Sequence, residues 1–402
     1  MADHRFRWII RTLTPLHIGN GERLREGFDF VEHDGALWVA NQGALFRAML
    51  EEALHIRTGD EAKIAAEIAG MTIYQFIDNK WLRDEHFDLS KGLFYYWLEG
   101  STSKKGRDGE LYSHIKDVEQ CPYLPGSSLK GALRSAILRI VAAKEPQKPV
   151  YLRGNPKNAA NQMEQRHFSK RGSDWRKFPY FDIWRALRIA DSSPLEKGSL
   201  KLARAIVYRR AFGDSQGKQR NSSVDKSESI PLDLEVIPAG VTLEASSWVD
   251  TWLFENQTAK GELAFGAKRE YITDRLCEMV NEDTRLSLIE ETNLFISLVK
   301  SDLETKNTQL VLDKLADAFT NLSASEMLLA VGKGTGWRRK TLGRVLQDKM
   351  TDDEFEQMVK GFKLGRGKWK RNEQIPYTRL LATAGDQRHA PLGWLKVRME
   401  PM

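Results

Sequence analysis

Pro125 to Arg134 reads Pro-Gly-Ser-Ser-Leu-Lys-Gly-Ala-Leu-Arg, and this run carries the clearest structural signal in the sequence. Its Pro-Gly pair ends the preceding segment, and Ser127 or Ser128 can cap a helix by accepting a hydrogen bond from a main-chain amide one turn later. Apolar residues then recur every three or four positions, which places them on one helical face. They are Leu129, Ala132, Leu133, Ala136, Ile137, Ile140 and Val141. The pattern predicts an amphipathic helix that runs to about Ala143 and packs against a core.

The start of this helix also has the chemistry of an anion site. Helix N-termini present main-chain amides and a partial positive charge, and Lys130 and Arg134 stand four residues apart on one flank. Together with Ser127 and Ser128, they predict a socket for a phosphate or another anion. The alternative is a capped amphipathic helix that binds nothing. A nucleotide triphosphatase is not expected, because the run lacks the glycine spacing and the Gly-Lys-Ser/Thr ending of a P-loop.

A second candidate site is a glycine-rich loop, where residues 332–340 read Gly-Lys-Gly-Thr-Gly-Trp-Arg-Arg-Lys. Alternating glycines let the main chain approach a ligand closely and turn amides toward it, and the cations suit an RNA backbone. The alternative is a tight basic turn before a helix. The dinucleotide fingerprint does not fit, because Trp337 stands where its third glycine belongs. The predicted RNA-binding residues here are Gly332, Lys333, Gly334, Thr335, Gly336, Arg338, Arg339 and Lys340.

His17 is a weak catalytic candidate and a candidate RNA contact. Imidazole titrates near neutrality and therefore suits acid–base work; the alternatives are a hydrogen bond to a loop carbonyl or a passive contact with RNA. No second His, Lys or Tyr stands nearby in the sequence at a spacing typical of a ribonuclease pair. Asp191 has no partner acid at a recognisable spacing and is interpreted as a turn-capping residue. We therefore expect no catalytic activity.

Two further segments are strongly basic and lack periodicity. Residues 144–178 contain nine Lys or Arg against three acids, which predicts an arm that follows a phosphate backbone without reading sequence; the alternative is a solvated surface insertion. Residues 363–371 contain five cations around Trp369 and no acid. Such a segment suits backbone contact with base stacking, or a solvated loop.

Composition sets the broad class. A chain of 402 residues that is 41% hydrophobic and 29% charged is globular and long enough for two domains. A net charge of +6 is mildly basic and agrees with a nucleic-acid partner. Two cysteines are too few for a disulfide framework or a zinc site, and no apolar run reaches membrane-spanning length. We expect a cytoplasmic protein with no metal, cofactor or membrane partner.

The two halves of the chain have similar predicted elements. Each shows a β-rich segment followed by a hairpin pattern, and the second half adds a long helical stretch at 255–329. The pattern predicts an α+β fold with two related sheets. The predicted strands and hairpin arms are 5–13, 28–32 with 36–40, 182–191, 200–211, 232–237 with 241–246, and 391–397, and a helix is predicted at 42–54.

Five islands of sequence resemble the RAMP superfamily of CRISPR-associated proteins, especially the members that end the backbone of type III-A (Csm) complexes. The islands are residues 12–19, 124–134, 188–192, 332–337 and 391–397. The resemblance implies an α+β fold of two ferredoxin-like (RRM-like) RAMP domains with large helical and loop insertions. It implies an N-terminal domain at 1–198 with a basic insertion near 144–180. A C-terminal domain at 199–402 would carry the helical insertion and the glycine-rich loop.

The resemblance further implies a structural function. Such a protein binds the 3′ region of CRISPR RNA (crRNA), caps the filament of backbone RAMP subunits, and supports crRNA maturation and antiviral defence. The small helical subunit and target RNA are further candidate partners. Backbone members cut target RNA with a loop aspartate, and none can be placed in this sequence. Two alternatives stay open: a RAMP endoribonuclease that processes precursor crRNA with His17, and a different RAMP subunit of a related type III complex.

Overall fold

The structure, a computed structural model, describes residues 4–56, 58–104, 108–145, 164–170, 178–209, 231–298, 303–364, 369, 378–384 and 387–402. Helices and strands are interspersed along the chain, so the predicted α+β class is confirmed. The strands are β1 (His4–Thr12), β2 (Gly19–Arg25), β3 (Phe30–His33), β4 (Ala36–Ala40), β5 (Phe94–Glu99), β6 (Glu110–His114), β7 (Leu187–Ile189), β8 (Lys201–Arg209), β9 (Leu232–Val236), β10 (Thr242–Val249), β11 (Glu326–Ala330), β12 (Thr378–Ala384), β13 (Gln387–Pro391) and β14 (Trp394–Pro401).

Helices separate these strands. They are α1 (Gln42–Ile56), α2 (Glu61–Ala69), α3 (Ile73–Asp78), α4 (Gly126–Lys144), α5 (Phe178–Phe181), α6 (Trp252–Glu255), α7 (Gln257–Leu263), α8 (Leu276–Leu298), α9 (Leu303–Thr320), α10 (Gly336–Lys340), α11 (Gly343–Lys349) and α12 (Asp352–Gly361). Short 3₁₀ turns lie at Asp84–His86, Leu89–Lys91, Ile183–Ala186 and Gly266–Ile272. Within the described ranges, no helix is both long enough and apolar enough to cross a membrane.

The strands form three sheets. One has the order β11-β14-β1-β10-β7, the second β13-β12-β8-β9-β6-β2, and the third β3-β4-β5. Pairing is antiparallel except between β6 and β9. The alternation of β1 explains its central place, because Trp8 and Ile10 are fully buried while Arg7 before them and Arg11 after them are exposed.

Helix α4 lies against the five-stranded sheet and confirms the helix predicted after Pro125. Leu129, Leu133 and Ile137 on its apolar face are fully buried in the main core. The predicted serine cap is wrong, because Pro125 occupies the cap position and the helix begins at Gly126. The Gly126 amide instead donates to the Asp191 carboxylate at 2.8 Å, so Asp191 caps α4 from a distant segment.

The hairpin predicted at 232–246 is also wrong. β9 pairs with β8 and β6 in the six-stranded sheet, whereas β10 pairs with β1 and β7 in the five-stranded sheet. The turn between them is bound to the end of β1: the Thr12 hydroxyl donates to the Pro238 carbonyl at 2.7 Å, and the Gly240 amide donates to the Thr12 carbonyl at 2.7 Å. These bonds turn the chain from one sheet to the other.

Both large sheets draw strands from the two sides of position 198. The five-stranded sheet combines β1 and β7 with β10, β11 and β14, and the six-stranded sheet combines β2 and β6 with β8, β9, β12 and β13. The predicted division into 1–198 and 199–402 stays a prediction.

Most of the basic segment at 144–178 and of the cationic run at 363–371 lies outside the described residues. Trp369 is described, and its ring packs edge-on against Phe355 with centroids 4.9 Å apart.

Candidate nucleic-acid interface

A cavity of about 680 Å³ opens where the distant sequence islands meet, and we call it the central cavity. Its walls come from the loop after β1, from β2, from the first turns of α4 and from the glycine-rich loop 332–336. Ser127 and Ser128 face it from the helix, and Lys333 and Lys340 face it from the loop and from α10. The two segments singled out in the sequence therefore line the same opening.

Main-chain hydrogen bonds connect three of the islands behind this cavity. The Lys333 amide donates to the His17 carbonyl at 2.9 Å, the Val331 amide to the Gly393 carbonyl at 2.8 Å, and the Gly393 amide to the Pro15 carbonyl at 2.8 Å. The glycine-rich loop, the segment after β1 and the turn before β14 are thus one hydrogen-bonded unit.

Gly332 shows why this unit requires glycine. Its φ is +79°, in the left-handed region, and an added Cβ would overlap the carbonyl oxygen of His17. The same carbonyl accepts the Lys333 amide. The glycine therefore allows two main chains to approach closely enough to bond, and it fixes the direction in which Lys333 leaves the loop.

The first turns of α4 present small residues to the cavity rather than cations. Ser127, Gly131 and Ser135 follow each other at intervals of four and line its wall. Arg134 lies on another flank, where it donates to Glu164 at 2.8 Å and to Asp182 at 2.6 Å. Lys130, also absent from that wall, has its pKa lowered chiefly by burial, and the nearby Asp182 raises it. The structure corrects the predicted socket of two serines and two cations to a wall of small residues. Residues 127, 131 and 135 share the helical face that lines the cavity, whereas residues 130 and 134 lie on a different face.

The glycine-rich loop divides its cations in the same way. Arg338 is buried and donates to Glu290 at 2.9 and 3.1 Å, and the Arg339 side chain is only 11% exposed, 3.8 Å from Glu291. Carboxylates of the chain pair with both guanidinium groups. Arg338 does not line the central cavity, whereas Arg339 does, and the RNA contacts predicted for both stay predictions. Thr335 is buried, and its hydroxyl donates to the Gly332 carbonyl, so it stabilises the loop.

The cations that do face the cavity are Lys333, Lys340 and Arg23. The Lys333 ammonium lies 4.0 Å from the Tyr112 ring centroid, and the Arg23 guanidinium lies 4.9 Å from it. Burial lowers the pKa of Lys333, and the positive charges of Arg23 and Lys340 lower it further. Because the positive charges of Lys333, Arg23 and Lys340 repel one another, a bound anion would be attracted by all three. Sequence reasoning missed Arg23 and Tyr112, because β2 is exposed along almost its whole length and has no hydrophobic alternation that would mark it as a strand.

His17 lies in the cavity wall and is almost fully buried. Its Nδ1 donates to the Glu235 main-chain carbonyl at 2.7 Å, which leaves Nε2 unprotonated in the neutral ring. Burial is the largest cause of its lowered pKa, and Lys333 contributes to the lowering. The structure corrects the expectation of no second histidine, because the His114 ring lies 6.0 Å away. Burial lowers the pKa of His114 to about 3, so this neighbour is neutral as well.

A network of buried ion pairs lies behind the glycine-rich loop, and we call it the Asp283 network. Asp283 on α8 accepts hydrogen bonds from Arg139 on α4 at 2.6 and 2.8 Å and from Arg344 on α11 at 2.9 Å. Arg139 also donates to the main-chain carbonyl of Arg339. The network thereby holds α4, α8, α10 and α11 in fixed relative positions, and these include both walls of the cavity.

Known proteins resemble this chain in sequence and in fold. The "CRISPR system Cms protein Csm5" of Streptococcus thermophilus is 25% identical over 246 residues, which are 58% of this chain and 61% of that protein. The chain thus spans less than two thirds of the length of that relative. A chain of the cryo-EM structure of a Csm–crRNA–target RNA ternary complex of a type III-A CRISPR–Cas system superposes with a TM-score of 0.63 at 22% identity, over 99% of this chain and 100% of that one. The crystal structure of T. onnurineus Csm5 gives 0.61 at 20% identity, over 96% and 99%.

These likenesses confirm the predicted fold. The model of the RAMP superfamily matches residues 9–339, which is more than half of the sequence and includes both walls of the central cavity. This agrees with the resemblance found in the sequence islands. The chain belongs to the RAMP superfamily.

Proposed function

We propose that this chain is the crRNA-binding structural subunit that caps the backbone of a type III-A Csm complex at the crRNA 3′ end. The observation that carries the proposal is the central cavity, which joins Lys333, Lys340 and Arg23 to a wall of small residues on α4. Similarity to Csm5 proteins and to a chain of a Csm–crRNA–target RNA complex supports it. The backbone RAMP subunit is the proposed protein partner, and the small subunit and target RNA are further ones.

The chemistry of the cavity favours a ribose-phosphate backbone. Three cations and one carboxylate, Glu22, line an opening whose α4 side is formed by small residues, so an RNA strand can approach the α4 main chain closely. Binding of this kind follows phosphates and therefore depends on salt rather than on sequence. The cationic wall is fixed by main-chain bonds and the α4 side by the Asp283 network, so little ordering is required on binding.

Gly131 offers a test, because it lines the cavity, and an added Cβ there meets no atom within 4 Å. We expect Gly131→Glu to bind a short single-stranded RNA about tenfold more weakly than Gly131→Gln at low salt, since only the first places a negative charge beside the phosphates. Gly131→Arg should bind at least as tightly as the glutamine variant. Fluorescence anisotropy against salt concentration measures all three.

Folding provides the control for this series. Each substitution replaces an exposed glycine inside a helix, so each should raise the free energy of unfolding by about 0.5–1 kcal/mol. A loss of RNA affinity in Gly131→Glu then cannot come from unfolding. Equal affinity of the glutamate and glutamine variants at low salt would remove the central cavity from the RNA path.

We further propose that the subunit is not a nuclease. Burial lowers the pKa of both His17 and His114, so neither is the protonated general acid that a histidine ribonuclease pair requires beside its base. Purified protein should therefore leave precursor crRNA intact, and His17→Ala should give the same gel pattern as the wild type, in chelator and in magnesium. A robust, chelator-insensitive cleavage that is lost in His17→Ala would favour the endoribonuclease instead.

A further inference from the structure

A second cavity, of about 490 Å³, lies on the other side of β2, and we call it the polar cavity. It is bounded by β2, by the start of α1, by β5 and by the turn after β6. It shares Glu22 and Ser113 with the central cavity, so the exposed strand β2 is the partition between the two. An RNA strand that lies in the central cavity therefore passes directly beside the polar cavity.

The polar cavity has the opposite chemistry to its neighbour. Its walls carry three carboxylates and three carboxamides, which are Glu22, Asp29, Asp117, Asn20, Gln42 and Gln120. Its cation, Lys116, is already bound to the buried Glu235 at 2.5 Å. A phosphate is therefore repelled from this cavity. A neutral group that donates hydrogen bonds is accepted.

We propose that the polar cavity binds a nucleobase of the RNA whose backbone lies in the central cavity, and that it prefers a base with an exocyclic amino group. This inference rests on the proposed RNA-binding function. Carboxylates accept from the amino group of cytosine, and carboxamides pair with the amino-bearing edge of adenine. Uracil has a carbonyl at the corresponding position, to which carboxylates cannot donate. The preference therefore rests on the three carboxylates, since the carboxamides can either donate or accept.

The acceptors are held in place before any ligand arrives. Asp29 accepts from the Gln42 side chain and from the Arg25 amide, each at 2.7 Å. Asp117 accepts the Glu119 and Cys121 amides at 2.9 Å. The cavity volume lies within the range of about 300–1,000 Å³ that small-molecule sites occupy, so a nucleoside fits.

Oligocytidine and oligouridine of equal length separate this proposal from simple backbone binding, because the two pyrimidines differ at the amino or carbonyl group. The full-length wild-type chain should bind oligocytidine about tenfold more tightly. Gly43 lines the polar cavity from the start of α1, and an added Cβ there meets no atom within 4 Å. Gly43→Trp should fill the cavity and bring oligocytidine down to the affinity of oligouridine, with the salt slope unchanged.

Gly261→Trp is the matched control, since Gly261 lies in α7, lines neither cavity, and its Cβ position is equally open. It should keep the preference for oligocytidine. Equal binding of the two oligomers by the wild type would overturn the polar cavity as a base site, and so would a preference for oligocytidine that survives in Gly43→Trp. In either case, salt-dependent binding of both oligomers would still support the proposed RNA-binding function. Failure to bind either oligomer would overturn both.

Discussion

Replacing Asp283 with alanine is expected to lower the free energy of unfolding by about 3–5 kcal/mol, because it leaves the buried Arg139 without a counter-charge and Arg344 with only Glu290, 4.0 Å away. The Asp283, Arg139 and Arg344 side chains are each no more than 5% exposed. Asp283 is the acceptor that the two guanidinium groups share. Urea-induced unfolding followed by circular dichroism measures the loss.

Glu282 provides the control one residue away. It pairs with Lys144 at 2.7 Å, but the two side chains are 33% and 55% exposed, so Glu282→Ala should cost about 0–1 kcal/mol. Replacing Asp283, Arg139 and Arg344 together with apolar residues of similar size should recover most of the stability, because no charge is then left unpaired. A loss in Asp283→Ala no larger than that in Glu282→Ala would show that the network does not hold the helices.

Gly393→Ala is the second substitution with a large expected effect, at about 3 kcal/mol of lost stability. Gly393 has a φ of +82°, and an added Cβ would overlap the Val331 carbonyl oxygen. The main chain of Gly393 also bonds to Val331 and Pro15. Relief of the overlap must therefore move the glycine-rich loop, and RNA affinity should fall together with stability.

Gly240→Ala is the control that measures the cost of a left-handed backbone without a steric overlap. Its φ of +88° is similar, but an added Cβ there meets no atom within 4 Å. Gly240→Ala should therefore cost about 1–2 kcal/mol from the left-handed backbone alone. Thermal unfolding of both variants gives the difference, and equal losses would contradict the close approach at Gly393.

Local patterns predicted much of this molecule. The period of α4, the alternation of β1 and the glycines of the loop at 332–336 each specify their own conformation, so these three elements were predictable. The strands β2, β6 and β12 were not predicted, and the strand predicted at 182–191 is limited to Leu187–Ile189. Pairing partners were not, since nothing within residues 232–246 indicates that Pro238 and Gly240 bond to Thr12 and send β9 and β10 to different sheets.

The charged side chains show a second limit. Sequence spacing placed Arg134 and Arg338 beside a phosphate, yet Glu164, Asp182 and Glu290 come from distant parts of the chain and bind them first. Sequence reasoning missed His114 for the same reason. It lies 97 positions after His17 in the sequence, and only the fold brings the two rings edge-on to each other. Long-range electrostatic partners are set by topology, which local patterns do not contain.

The position of β1 between β10 and β14 has a consequence for biogenesis. Thr14 and Trp394, which bond behind the central cavity, are 380 positions apart, so this fold has contacts of very high sequence separation. On the ribosome, β1 emerges long before β14 and must wait with its edge unpaired. The contact of Thr14 with Trp394, which lies behind the central cavity, therefore forms only after translation has passed residue 394.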